Sequence, residues 1–435
     1  MSVLGALTVG CWWAIRFLGD ARHHLATFYG WFGAAFVLYL TALWCVRTAV
    51  QRPRSVAQSA ILVGFILLVG VTSRLLLLGT TPTLSDDIYR YRWDGRVQQT
   101  GIDPYRYPPN APELAVLRDE QDAHINFPHL RTVYPPLTQL AFRLGAAIDD
   151  SLISQKLVFV SVELLLLVGL LVILWCRGQS LLWVVAYAWH PLPILEIAGS
   201  GHNDALGIAM LWLGVAAWEL RRYGAAAFGW ALAFLSKYAT VILVPWWWFR
   251  RVGRSQLGFF LALSVVPLLA HPTVLTAVAG SLGTMSTRFG SNGSVHPVLA
   301  LALGSSLVAR LICTAAWVVF TWGGARREED AVRYLLGVMS VGAILSPVLH
   351  PWYLVWLTPA FCFWRPWPVV ALTGTVVLAY MVWPGRLVTG VWGIPVWAHI
   401  LEYAPVAVLG LWEVWRCRLG LSSRLAMKPT RSVVS

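Results

Sequence analysis

The sequence predicts an all-α polytopic membrane protein, a bundle of about 12 transmembrane helices with a long first external loop. Three observations carry this. Only 12% of the 435 residues are charged and 58% are hydrophobic, where a soluble domain carries about 25% charged residues. Apolar runs of about 20 residues, the length that spans a bilayer, recur along the chain, and the mean hydropathy is +0.65. The basic residues, which give a net charge of +13, fall in short segments between those runs. That is a positive-inside distribution, so the charge reports topology. Membrane lipids are expected as surroundings, and no nucleic acid.

Residues 3–18 read as a first anchor helix, because neither a basic leader nor a small-residue cleavage site is evident. Runs at 25–46 and 57–79 follow, separated by Arg47, Arg52 and Arg54. Assigning the arginines to the cytoplasm puts 80–133 outside, and this segment holds eight of the 20 acidic residues. Runs at 155–175, 181–198 and 205–220 then alternate down to Arg221 and Arg222. The next run, 224–249, has arginines at both ends (Arg250, Arg251 and Arg254 beyond it). A helix broken at Ser236-Lys237-Tyr238 and folded back reconciles those charges, since irregular backbone at membrane depth is tolerated inside protein. A run at 297–322 precedes Arg326 and Arg327, and a basic tail (Arg416, Arg418, Arg424, Lys428, Arg431) closes the chain. The expected organisation is two anchor helices in 1–56, a catalytic membrane module in 57–365, and helices plus tail in 366–435. Six scattered cysteines, with no CxxC spacing, argue against a disulfide framework or a zinc site.

The polar chemistry concentrates in "TPTLSDDIYRYRWDGRVQQTGIDPYRYPP", residues 81–109. Asp86 and Asp87 stand just beyond an apolar run. A carboxylate there can serve as a general base if partial burial tunes it, and the pair could hold a divalent cation; a bare Asp-Asp is more often a solvated loop start. Tyr89, Tyr91, Trp93, Tyr105 and Tyr107 interleave with Arg90, Arg92 and Arg96 beside Asp94, a mixture of rings and planar donors suited to a sugar or a lipid headgroup. His202-Asn203-Asp204 is either a helix N-cap or part of a site. Lys237, one of three lysines, lies in an apolar stretch, where a cation demands an anionic partner. His350 precedes Pro351-Trp352-Tyr353, and Glu163 and Glu196 read as structural hydrogen bonders. The predicted topology gathers 80–133, "GSGHNDA", "STRFGSNGSVHP" and "SPVLHPWY" on the external face.

"SDDIYRYRWDGRVQQTGIDPYRY", followed by "TVYPPL" at 132–137, resembles the first external loop of the GT-C glycosyltransferases, above all polyprenol-phosphate-mannose-dependent mannosyltransferases. "GHNDALGIAMLWLG", "GWALAFLSKYATVILVP" and "SPVLHPWYLVWLTP" resemble later segments of the family in the same order. The resemblance implies a GT-C-type bundle with a polyprenyl-phosphate sugar as donor and a lipid or glycan acceptor on the external or periplasmic face of the cell membrane. It implies Asp86 or Asp87 as catalytic base; the position of Asp86, three residues before Tyr89, favours Asp86. Tyr89, Arg92, Asp94, Tyr134, His202, Asn203, Asp204, Lys237 and His350 become substrate-binding candidates. Two features depart from the family pattern: the acidic loop follows the third apolar run rather than the first, and the motif is DD rather than DxD. A lipid-linked-sugar transporter would instead show matched broken helices in two halves, and an O-antigen-type polymerase or ligase would carry arginine-rich external loops.

Single cysteines placed at Ala115 and Ser432 of a cysteine-free variant are expected to label with an impermeant maleimide from opposite sides of the membrane. Labelling of both from one side overturns the orientation.

Overall fold

The computed structural model describes residues 1–250, 252–288 and 290–419. Arg251, Phe289 and most of the basic tail, with Arg424, Lys428, Arg431 and the labelling position Ser432, lie outside the described residues.

Among the described residues the secondary structure is helical, and the only β pairing is two isolated bridges from Ser291 and Asn292 to Val348. Five helices are long and apolar enough to cross a bilayer: Leu25–Val50, Val56–Leu78, Leu152–Cys176, Ser306–Arg327 and Trp367–Thr389. Two bent pairs raise the number to seven. One bends by 50° between Leu181–Ala188 and Pro191–Gly199, where His190 precedes a proline that cannot donate. The other bends by 90° between Arg254–Leu269 and Pro272–Ser281. Shorter apolar helices, Ser2–Arg16, Tyr223–Ser236 and Ala331–Leu345, pack among them. The figure of about 12 counted apolar runs, and helix length alone does not reach it.

The run at 224–249 is broken where Lys237 takes an extended conformation, φ −157° and ψ 123°. The chain then returns. Trp247 Nε1 donates to Gly253 O at 3.1 Å, and a Cβ on Gly253 would stand 3.3 Å from both Trp218 and Tyr223, the latter being where the broken helix began. Arg250 donates to Ala325 O at 3.1 Å, the end of the helix that carries Arg326 and Arg327. The arginines at both ends of the run therefore share one end of the bundle, as the charge pattern required.

Residues 80–133 form a folded layer. Asp87–Gln99 is a helix and Pro112–Leu117 and Glu120–His124 are 3-10 turns. Nothing apolar and periodic announces that helix, because Arg90, Arg92, Tyr89 and Tyr91 are buried along with its apolar residues. Arg92 and Arg96 converge on Asp119, Asp122 and Asp150 at 2.5–3.8 Å. The two guanidiniums hold the Asp119 carboxyl well below the usual carboxylate range. Gly95 permits the close crossing of this helix over Pro136–Ile148, since a Cβ there would lie 2.4 Å from Phe142 O. Pro136–Ile148 buries Thr138, Gln139, Ala141, Phe142 and Gly145 and exposes Leu140, Leu144 and Ile148 at four-residue spacing. Such a stripe suits a helix lying in the lipid interface.

Beneath this layer Arg74 and Glu163 form a fully buried bidentate pair, with N–O distances of 2.7 and 2.9 Å. Tyr187 donates to the same carboxylate at 2.7 Å and Arg74 to Ala188 O at 2.9 Å. Three apolar helical segments are thereby tied at one polar point. Glu163→Ala leaves Arg74 charged and unpaired, which costs about 3–5 kcal/mol when one partner of a buried pair is removed. Thermal unfolding in detergent should show that loss, and Arg74→Met combined with Glu163→Leu should recover most of it. A Glu163→Ala variant as stable as the wild type would contradict the pairing.

Candidate functional site

Asp86 ends an irregular stretch and Asp87 opens the Asp87–Gln99 helix. Asn126 donates to Asp87 Oδ1 at 3.3 Å. His202 Nδ1 stands 3.8 Å from Asp87 Oδ2, and His202 Nε2 stands 3.4 Å from Glu196 Oε2. Glu196 accepts from Tyr380 Oη at 2.8 Å. Asp87, His202 and Glu196 thus form a line running from the surface layer into the bundle, and both nitrogens of His202 lack a hydrogen-bond partner among the described residues. The Asp87 side chain is 26% exposed while His202 and Glu196 are buried.

Local backbone chemistry makes this placement. Ile194–Gly199 is π-helical, a widened turn frequent at functional sites. Gly201 follows at φ +74°, a conformation in which a side chain would be strained and where a Cβ would come within 2.4 Å of Ile88. The turn aims His202 back towards Asp87 and starts the next helix at Asp204. Asn203 is buried, its carbonyl accepts from Leu206 N, and its side chain makes no capping bond.

Asp204 is 1% exposed and receives Lys237 Nζ at 2.5 Å and Trp356 Nε1 at 2.6 Å. Lys237 also stands 5.7 Å over the Tyr353 ring. The break that frees Lys237 is fixed from outside by Thr138, which donates to Ser236 O at 2.7 Å. His350 and His202 each stack on Trp352, with centroids 4.3 and 4.1 Å apart.

Asp86 faces a different set of groups. The Ala21 amide donates to Thr83 Oγ1 at 3.2 Å, docking the Ala21–His23 turn beside the acid pair. Arg22, paired with Asp20 at 2.8 Å, lies 5.2 Å over Trp383, whose indole donates to Leu84 O at 3.1 Å. Trp392 packs 5.9 Å from Trp383 and carries Arg386 at 5.1 Å. Burial raises the Asp86 carboxyl, against the pull of Arg22, His124 and Arg386. Burial also pushes Asp87 up to about 6, opposed by the Asn126 hydrogen bond and by Lys237.

Of the residues singled out by sequence, Asp86, Asp87, His202, Asp204, Lys237 and His350 are brought together, and Asn203 lies between two of them. Tyr89 lies at the rim, its ring 4.9 Å from His124. Tyr134 packs edge-on to Tyr91 at 5.2 Å below the pair. Arg92 and Asp94 are not brought to the cluster. Arg92 is spent on Asp119, Asp122 and Asp150, and Asp94 on Arg90 and Gln139 at 2.8 and 2.9 Å. Sequence reasoning missed Glu196, Asn126, Trp352, Arg22 and Trp383. An ionisable residue inside an apolar run, six residues before His202, was the available signal for Glu196. No three His, Cys, Asp or Glu side chains converge to hold a metal among the described residues; the acid pair alone would meet a divalent cation.

A helical membrane bundle with buried carboxylates, histidines and cations converging at one end defines an integral membrane protein with a site at its surface. Residues 4–251, more than half of the chain, match the family described as alpha-(1->6)-mannopyranosyltransferase, N-terminal domain, and the chain belongs to that family. It is 25% identical over 325 residues to alpha-(1->6)-mannopyranosyltransferase A of Mycobacterium tuberculosis, a match covering 64% of this chain and 61% of that relative. The chain thus matches less than two thirds of that relative's length. No solved structure matches it.

The Lys237–Asp204 pair yields a stability test. Lys237→Met is expected to lower the unfolding temperature in detergent by stranding a buried carboxylate, and Asp204→Asn in the same chain is expected to restore most of it. Additive losses would mean that the two residues do not act as a pair.

Proposed function

We propose that this protein is an inverting mannosyltransferase that moves a mannosyl unit from a polyprenyl-phosphate sugar to a hydroxyl of a lipid or glycan acceptor at the external face of the membrane. The observation that carries the reading is Asp87, raised to about 6 and backed by His202 and Glu196 in a chain of this family. A base with that pKa stays ionised at neutral pH yet takes a proton more readily than an ordinary carboxylate. Asp87 removes the acceptor proton as the acceptor oxygen attacks the anomeric carbon and the bond to the lipid phosphate breaks. The transition state resembles the oxocarbenium ion of glycoside hydrolysis, and cations near the departing phosphate lower its energy.

Arg22 and Arg386, whose charges act on Asp86, and Lys237, whose charge acts on Asp87, are the cations that could receive that phosphate. Lys237 is 33% exposed even while it holds Asp204, so it can meet a second anion. His350, stacked on Trp352, lies beside the same opening. Asp86, facing Arg22 and Arg386, orients the acceptor or holds a divalent cation with Asp87. This reverses the order that the motif's resemblance favours, because Asn126 and His202 both address Asp87.

Asp87→Asn keeps the size of the side chain and removes the base. With saturating donor and acceptor, kcat should fall by about 10²–10⁴, the usual contribution of a general base, while donor binding persists. The base must be ionised, so wild-type turnover should decline as the pH falls through about 6. A loss confined to Asp86→Asn would exchange the two roles, and near-normal turnover of both variants would refute the base assignment.

A further inference from the structure

The end of the bundle away from the acid pair carries arginines that have no carboxylate partner among the described residues. The Leu152–Cys176 helix runs between the two ends. Near its start Lys156 donates to Thr80 O at 2.8 Å, six residues before Asp86. Just past its last residue Arg177 pairs with Glu219 and Asp330 at 2.5 and 2.9 Å and lies 5.2 Å over Phe363. The turn that Phe363 begins holds two closer stacks: Arg365 lies 3.7 Å from the ring centre of Trp183, and Arg333 lies 3.5 Å from that of Trp364. We infer that the seam between Arg365 and Arg47 binds the phosphate headgroup of an anionic membrane phospholipid.

The charges at this turn are unbalanced. Glu219 and Asp330 are taken by Arg177, and Glu413, the acid that reaches the turn, accepts from the Trp367 amide at 3.1 Å. Arg365 commits only Nη1, to Phe361 O at 2.8 Å and Cys362 O at 3.2 Å. Stacking uses the face of a guanidinium, so Nε and Nη2 at its edge are left over, and that edge is the planar fork that matches a phosphate. Burial lowers the Arg365 guanidinium from its ordinary value; Cys362 and Tyr39 oppose this and Arg47 adds to it, so the two arginines act on one another. A positive-inside distribution asks for arginines at this end. It does not ask for a half-buried one without a counter-ion, an arrangement that is costly at a membrane.

The apolar surroundings name the source of the anion. Tyr39 Oη donates to Ala186 O at 3.1 Å, which packs the Leu25–Val50 helix on the segment that carries Trp183. Arg47 stands about two turns further along that helix and is exposed. Trp44, three residues before it, is 64% exposed, and Val37, seven residues before Trp44 and so on the same face, is 62% exposed. Such a face meets acyl chains, with the tryptophan at headgroup depth. An anion held by Arg47 and Arg365 therefore sits at the head of lipid tails, and a phospholipid supplies both parts. The site is independent of the transfer reaction at the other end.

The test titrates the full chain, delipidated in detergent, with phosphatidylglycerol and with phosphatidylcholine of the same acyl chains, read by native mass spectrometry. The wild type should retain phosphatidylglycerol in preference. Arg47→Gln and Arg365→Gln should each weaken that binding about fivefold, the worth of one basic residue at an anionic surface. Arg47 is exposed, so its variant reports binding even where loss of the Arg365 stack disturbs the fold. Arg222→Gln, which removes the same charge from another exposed position, should bind as the wild type does, and inorganic phosphate should not displace the lipid. Equal retention of the two lipids, unchanged binding in Arg47→Gln, an equal loss in Arg222→Gln, or displacement by inorganic phosphate would each overturn the lipid site.

Discussion

The Asp204 carboxylate is the constraint around which the site is arranged. Buried at the head of an apolar helix, it has to be met by a cation and a donor, because an isolated charge at that depth is costly. Lys237 and Trp356 meet it. Lys237 can reach only because its own helix stops one residue earlier, and Trp356 only because the segment after His350 passes beside the same point. One acid therefore joins three separated parts of the chain and holds open the polar end of the bundle.

A second polar assembly carries the layer above. The arginines of the Asp87–Gln99 helix point into a cage of Asp119, Asp122 and Asp150, and Arg90 holds Asp94 against Gln139. Charge-assisted networks of this kind rigidify and specify. They place the start of the helix, and hence Asp86 and Asp87, against His202 on one side and the Arg22 turn on the other. Arginines and tyrosines that look like substrate chemistry in the sequence are largely the mortar that positions two aspartates.

Much of this was legible beforehand. Apolar run length located the long helices, and arginine placement located the break at Lys237, because both ends of that run carry positive charge. Residue type and position marked Asp86, Asp87, His202, Asp204 and Lys237 as candidates, and the family resemblance gave them roles. The remainder depended on distance in space. The Asp87–Gln99 helix has no apolar face, so periodicity could not reveal it. Arg92 and Asp94 have the same composition cues as a binding residue, and only their partners distinguish them. Glu196 looked like a structural hydrogen bonder because nothing in the sequence shows a π-turn bringing it to His202. Arg22 and Trp383, more than 60 and almost 300 residues from Asp86, carry no local mark at all.

The wall around Asp86 takes Arg22 from one end of the chain and Trp383 and Trp392 from the other, and this bears on biogenesis. A chain synthesised from its N-terminus exposes domains in order, so the acid pair and Arg22 leave the ribosome long before the tryptophans that cover them. Until Trp356 is inserted, Asp204 and Lys237 have only each other; until Trp383 arrives, Leu84 O has no donor there. Completion of the polar cluster is thus coupled to insertion of the last helices, and a prematurely terminated chain contains both aspartates without the tryptophans that wall in Asp86.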